Sequence, residues 1–199
     1  MIALDIESSG VDPVQDSILS LGAVDLESPA NRFYGECHIW DGAHVNDEAL
    51  LVNGFTHAAV RDSSKQSEIE LVQAFLSWTE SVHDRTLVGQ NPSFDRDFLI
   101  AACYRGGIPF PLAHRTLDTH TLAYMHMVKR GVTPPFDAEK HHTKLTLDAA
   151  LKYVGIPEEP KPHNALTGAL SHAEVASRLL FEKPLLPEFS AYPIPYISI

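Results

Sequence analysis

The sequence predicts an α/β domain with a central mixed sheet flanked by helices. Three strand-like segments come first, at 2–7, 18–26 and 32–39. Two short apolar segments, 86–89 and 116–118, then alternate with helix-patterned stretches, and a long helical pattern closes the series at 164–181. A run of strands followed by βα alternation calls for antiparallel and parallel neighbours in one five-stranded sheet. At 199 residues the chain suits one compact domain, 1–182, followed by a short arm at 183–199.

Each element has a local reason. In the first strand Ile2, Leu4 and Ile6 take one face while Asp5 and Glu7 take the other, since side chains two apart project together. Ser8-Ser9-Gly10 ends that strand and lets backbone N–H groups approach whatever the two acids hold. Pro29-Ala30-Asn31 reads as a hairpin loop, which makes the second and third strands antiparallel neighbours. Asn46 caps a short helix that Asn53-Gly54 stops, and 61–66 is polar loop. Ile69, Val72, Phe75, Leu76 and Trp78 repeat at helical spacing within 67–82. Asn91 and Pro92 open the next helix as cap and first residue. It turns Phe94, Phe98, Leu99 and Ala102 inward and ends at Gly106-Gly107. Helices are expected over 119–129 and 145–154. Between them, 131–142 holds two prolines and few apolar residues and reads as a mobile loop. The segment 158–162 is a proline-bounded linker. The arm 183–199 has four prolines, so it reads as an extended piece over the body, with a dimer or partner contact as the sharper alternative.

A net charge of −11 excludes wrapping of duplex DNA on a broad basic surface. It leaves open a nucleic-acid enzyme whose metal ions supply positive charge locally. Cys37 and Cys103 are isolated, which suits a reduced, cytoplasmic setting. No apolar run is long enough to span a bilayer, and Met1 leads directly into a strand without a leader pattern, so no membrane association is expected. His114, His120, His126, His141 and His142 lack zinc-site spacing. Neither a Gly-x-Ser-x-Gly elbow nor a P-loop is present.

Two acids leaving a buried strand need compensation, and a divalent cation is the usual one for oxygen-only ligands. An exposed edge strand would also carry such a pair. Two further segments shift the balance. Asn91-x-x-Phe94-Asp95-x-x-Phe98-Leu99 puts Asp95 one turn into a helix that follows a buried strand, and His163-Asn164-Ala165 begins the last helix. In that order these motifs resemble the DEDDh (DnaQ-like) family of 3′→5′ exonucleases, over most of 1–181. The resemblance implies an RNase H-like fold and two divalent ions, Mg²⁺ or Mn²⁺, held by Asp5, Glu7 and Asp95, with His163 as general base. It further implies that Ser8, Ser9, Gly10, Asn91 and Phe94 contact substrate, and that the substrate is a single-stranded DNA or RNA 3′ end. A homodimer or a polymerase-type partner is the assembly it suggests.

One position departs from the family pattern. Its His-x-Ala-x-x-Asp becomes His163-Asn164-Ala165-Leu166-Thr167-Gly168, so the fourth carboxylate is lost at Gly168. His172, one turn later, would have to lean back to substitute, and Glu174 points elsewhere. Two expectations follow: an exonuclease with a weakened metal site, or a degenerate fold that binds nucleic-acid ends or a protein without cutting.

Overall fold

A computed structural model describes residues 1–197; the last two residues of the expected arm, 198 and 199, lie outside the described residues. β1 (Ile2–Ser8) runs through the centre of a five-stranded sheet of order β3-β2-β1-β4-β5. It pairs antiparallel with β2 (Ile18–Asp25), which pairs antiparallel with β3 (Arg32–Glu36). On its other side lies parallel β4 (Leu87–Gly89), followed by parallel β5 (Thr116–Asp118). The expected mixed five-stranded architecture is therefore present.

Alternation along β1 sorts the two layers. Ile2, Leu4 and Ile6 join one core with Leu71, Val72 and Phe75 of α2 (Glu68–Thr79) and Phe98, Leu99 and Ala102 of α3 (Pro92–Arg105). Ala3 turns to the opposite core, against Ala169, Ala173 and Ala176 of α6 (Ala165–Phe181). Small residues on both sides bring α6 close to the sheet. Gly22, opposite Asp5 in the β1–β2 register, completes that approach. A Cβ there would collide with the Ala165 carbonyl at the start of α6. Asp5 and Glu7, on the Ala3 face, are thus delivered to the N-terminal end of α6.

The shorter helices largely follow their local signals. α1 (Asp47–Asn53) is capped by Asn46 and stopped by Gly54 in the left-handed region. Ser67 and Glu70 form a capping box on α2. Asp118 caps α4 (Thr119–Lys129), and Thr146 caps α5 (Leu147–Val154). Three details differ from expectation. The third strand leaves the sheet at Glu36 because the His38 and Ile39 amides donate to Gln66 and Val60 instead. Asn91 sits at the head of α3 with φ 52°, but its side chain caps no backbone amide and instead accepts the Ser93 hydroxyl at 3.0 Å. The segment 131–142 is not wholly irregular. β6 (Phe136–Asp137) pairs with β7 (His142–Thr143), and the Asp137 carboxylate closes the turn by accepting the Glu139 and Lys140 amides.

After α6 the chain folds back over that helix. Arg178 and Glu174 form a fully buried pair (Nε–Oε1 2.6 Å). Arg178 also donates to the Phe189 and Tyr192 carbonyls, both at 3.0 Å, and Glu174 accepts the Leu185 and Leu186 amides. Among the described residues, no helix is long and apolar enough to cross a membrane.

Candidate active site

β1 carries the site because its pairing with β4 is short. The parallel register covers only Ile2 and Ala3, so β4 has ended before Ile6 is reached. The Ile6 amide donates instead to Asp95 Oδ1, at 2.9 Å. Asp95, in the first turn of α3 and almost fully buried, is thereby fixed beside β1 at Ile6, the residue between Asp5 and Glu7.

These acids lie in a region that resists ionisation. Burial raises Asp5 well above the usual carboxylate range, with further repulsion from Asp95, Glu7 and Glu159. Burial lifts Glu7 to about 7, and Glu159 adds to it. Burial pushes Asp95 up to about 8, and Glu7 adds to it; backbone hydrogen bonds, including that from Ile6, pull the other way. Among the described residues none of Asp5, Glu7, Asp95 or Glu159 has a Lys or Arg ion-pair partner. As placed, no three of these side chains form a ready-made ligand cage among the described residues. Four carboxylates that influence one another without a protein cation nevertheless offer the hard oxygen donors that a divalent ion takes.

The end of α6 closes the region. Gly168 faces Asp5, and a Cβ built there would lie 2.6 Å from Asp5 Cγ. His163 precedes the cap residue Asn164, and its amide donates to the Val52 carbonyl at 3.1 Å. Its imidazole is about a third exposed, with Nδ1 3.7 Å from Glu159 Oε2. Beside it is a cleft of about 220 Å³ lined by Tyr34, Phe55, Asn53, Pro162 and Asn164. Glu159 escaped sequence reasoning because it lies in the proline-bounded linker; the one available signal was its place four residues before His163.

Several expected contacts are already committed within the protein. Ser9 is fully buried: its amide donates to Ser17, and its hydroxyl donates to the His44 carbonyl while accepting the Ser17 amide. The Ser8 hydroxyl donates to the Gly10 carbonyl. A Cβ at Gly10 would crowd the buried Asp16 carboxylate. Phe94 is half-buried and packs on Phe98, ring centroids 4.9 Å apart, so much of its ring belongs to the core. His172 is buried with Nδ1 2.8 Å from the Leu4 carbonyl. Burial lowers its pKa to about 4, so it is a neutral imidazole donating through Nδ1 to the sheet.

The chain matches the family model RNase_T, described as an exonuclease, over residues 2–176. Ribonuclease T of Haemophilus influenzae is 26% identical over 171 residues, covering 72% of each chain. The nuclease domain of 3′hExo, a DEDDh family member solved with bound rAMP, superposes with a TM-score of 0.69 at 15% identity, over 93% of each chain. E. coli exonuclease I, solved with a dA16 oligonucleotide, gives a TM-score of 0.68 at 18% identity, over 92% of this chain and 40% of that one.

Proposed function

The chain belongs to the RNase_T exonuclease family and has the RNase H-like fold of the DEDDh exonucleases, and from that premise we propose that Asp5, Glu7, Asp95 and His163 make it a 3′→5′ exonuclease on single-stranded DNA or RNA ends. The observation that carries this reading is the Ile6–Asp95 hydrogen bond, which joins the acid of α3 to the strand bearing the other two.

Family membership implies divalent ions, and the oxygen-only donor set suits two Mg²⁺ or Mn²⁺. When bound, such ions supply an activated water and neutralise phosphate charge. Asp5, Glu7 and Asp95 hold that charge in place. His163 accepts the water's proton: with Nδ1 turned to Glu159, Nε2 is the nitrogen left to do so. The cleft beside His163, with Tyr34 and Phe55 in its wall, receives the terminal nucleotide, and aromatic faces there favour an unpaired base. Gly10 follows the end of β1, and Phe94 precedes Asp95 in the first turn of α3.

Gly168 favours a second reading, in which the fold binds 3′ ends without cutting them. End-labelled single-stranded DNA and RNA oligonucleotides, incubated with Mg²⁺ or Mn²⁺, separate the two. Stepwise shortening from the 3′ end that His163→Ala abolishes supports the exonuclease; binding without shortening in either metal supports the second reading. The buried free thiols of Cys37 and Cys103 suit a reduced, cytoplasmic setting. A homodimer or a polymerase-type partner is carried over from the family alone, and light scattering checks the first.

A further inference from the structure

Three prolines, Pro157, Pro160 and Pro162, shape the passage from α5 to α6, and Glu159 sits among them. Its side chain is only 4% exposed, unusual for a glutamate on a linker. Oε1 accepts the Thr167 hydroxyl at 2.9 Å, and Oε2 lies 3.7 Å from His163 Nδ1. Thr167 immediately precedes Gly168, so this acid stands on the same turn of α6 from which a side chain at 168 would project. Resting on the exonuclease reading above, we propose that Glu159 supplies the fourth carboxylate of the divalent-metal site, delivered from the linker instead of from position 168.

Two observations support the substitution. Gly168 presents no side chain, and Asp5 occupies the room this leaves, so an acid from α6 is absent while its neighbourhood is kept. Glu159 is close enough for its charge to bear on both Asp5 and Glu7, yet it has no Lys or Arg partner. A residue serving only to anchor Thr167 needs no charge, since a glutamine oxygen accepts the same hydroxyl. Burying a carboxylate among carboxylates is costly unless a cation joins them.

The test is Mn²⁺ binding to the full chain, read from the paramagnetic resonance signal of free ion, with no substrate present. Glu159→Gln is expected to weaken Mn²⁺ binding by about 10–100-fold or more and to raise the melting temperature in EDTA. Glu159→Asp, which keeps the charge and shortens its reach, weakens binding less. Adding Gly168→Asp to Glu159→Gln restores affinity, whereas Gly168→Asp alone tightens it by less than about tenfold. Asp5→Asn is the reference for the site as a whole. If Asp5→Asn loses Mn²⁺ while both Glu159 variants bind as the parent does, the proposal is overturned and the exonuclease site stands. If Asp5→Asn also binds unchanged, the site assignment falls with it.

Discussion

The carboxylate of Asp5 lies where a side chain on Gly168 would begin, so the central strand and the last helix share one small volume. Asp5 is held by its backbone opposite Gly22, and α6 is held against the sheet by that same glycine. Neither partner can withdraw. A larger residue at 168 is admitted only by turning the Asp5 carboxylate away, which is feasible because the crowded atoms are the end of a flexible side chain.

Gly168→Asp therefore has opposite consequences with and without metal. In EDTA a further acid beside Asp5 is expected to cost about 1–2 kcal/mol, only slightly offset by the poorer helix propensity of glycine. With saturating Mn²⁺ the deficit shrinks, because the cation neutralises the added charge. Urea unfolding in the two conditions checks this. Equal losses in both place position 168 away from any bound ion.

The acid cluster also sets a pH dependence. A carboxylate whose folded pKa is raised loses stability as the pH climbs from its unfolded value through its folded one. For Glu7 and Asp95 that window ends near 7 and 8. Metal-free protein should therefore lose about 2 kcal/mol between pH 6.5 and 8 from Asp95. Asp95→Asn keeps an acceptor for the Ile6 amide and flattens this slope. Melting curves in EDTA across the range measure both, and a flat profile for the parent chain contradicts the shared burial of these acids.

Much of this arrangement was legible in the sequence, and the rest had physical reasons to be hidden. Period-two alternation put Asp5 and Glu7 on one face, and the cap signal at Asn46 and the helical patterns over 67–82 and 119–129 located helix starts within a residue or two. The Ile6–Asp95 bond was not readable, since it depends on β4 stopping short at Gly89. Ser9 reads as part of a strand end open to a substrate, but its side-chain partners are 8 and 35 residues away. Glu159 gave no periodic signal because prolines, not a helix or strand, set its place. Asn91 matched the cap preference by residue type, while its left-handed backbone turned the side chain to Ser93.

His172 gives the fold an acid-sensitive point separate from the carboxylates. Its folded pKa, about 4, lies below the usual value of 6.5, so the unfolded chain takes up a proton first as the pH falls. The contribution is whole above pH 6.5 and is lost on the way to pH 4, amounting to roughly 3 kcal/mol. His172→Gln retains a donor for the Leu4 carbonyl and does not titrate. The stability of the parent relative to the variant should therefore fall by roughly 3 kcal/mol between pH 6.5 and 4 and stay constant above. A difference that is constant throughout means the imidazole is not held neutral against β1.

The segment beyond α6 is secured by the Arg178–Glu174 pair, and its removal should be costly in one direction only. Arg178→Met leaves Glu174 buried and strips the Phe189 and Tyr192 carbonyls of their donor. Breaking a buried pair in this way costs about 3–5 kcal/mol. Glu174 would still accept the Leu185 and Leu186 amides, so the first residues after α6 stay docked while those beyond Phe189 come loose. Limited proteolysis should then cut after residue 189 well before the body is attacked. Replacing both partners, Glu174→Leu with Arg178→Met, removes the uncompensated charge and is expected to recover part of the loss, while the Leu185 and Leu186 amides lose their acceptor. Stability equal to the parent in Arg178→Met alone would mean that solvent reaches Glu174 and that the pair does not hold the tail.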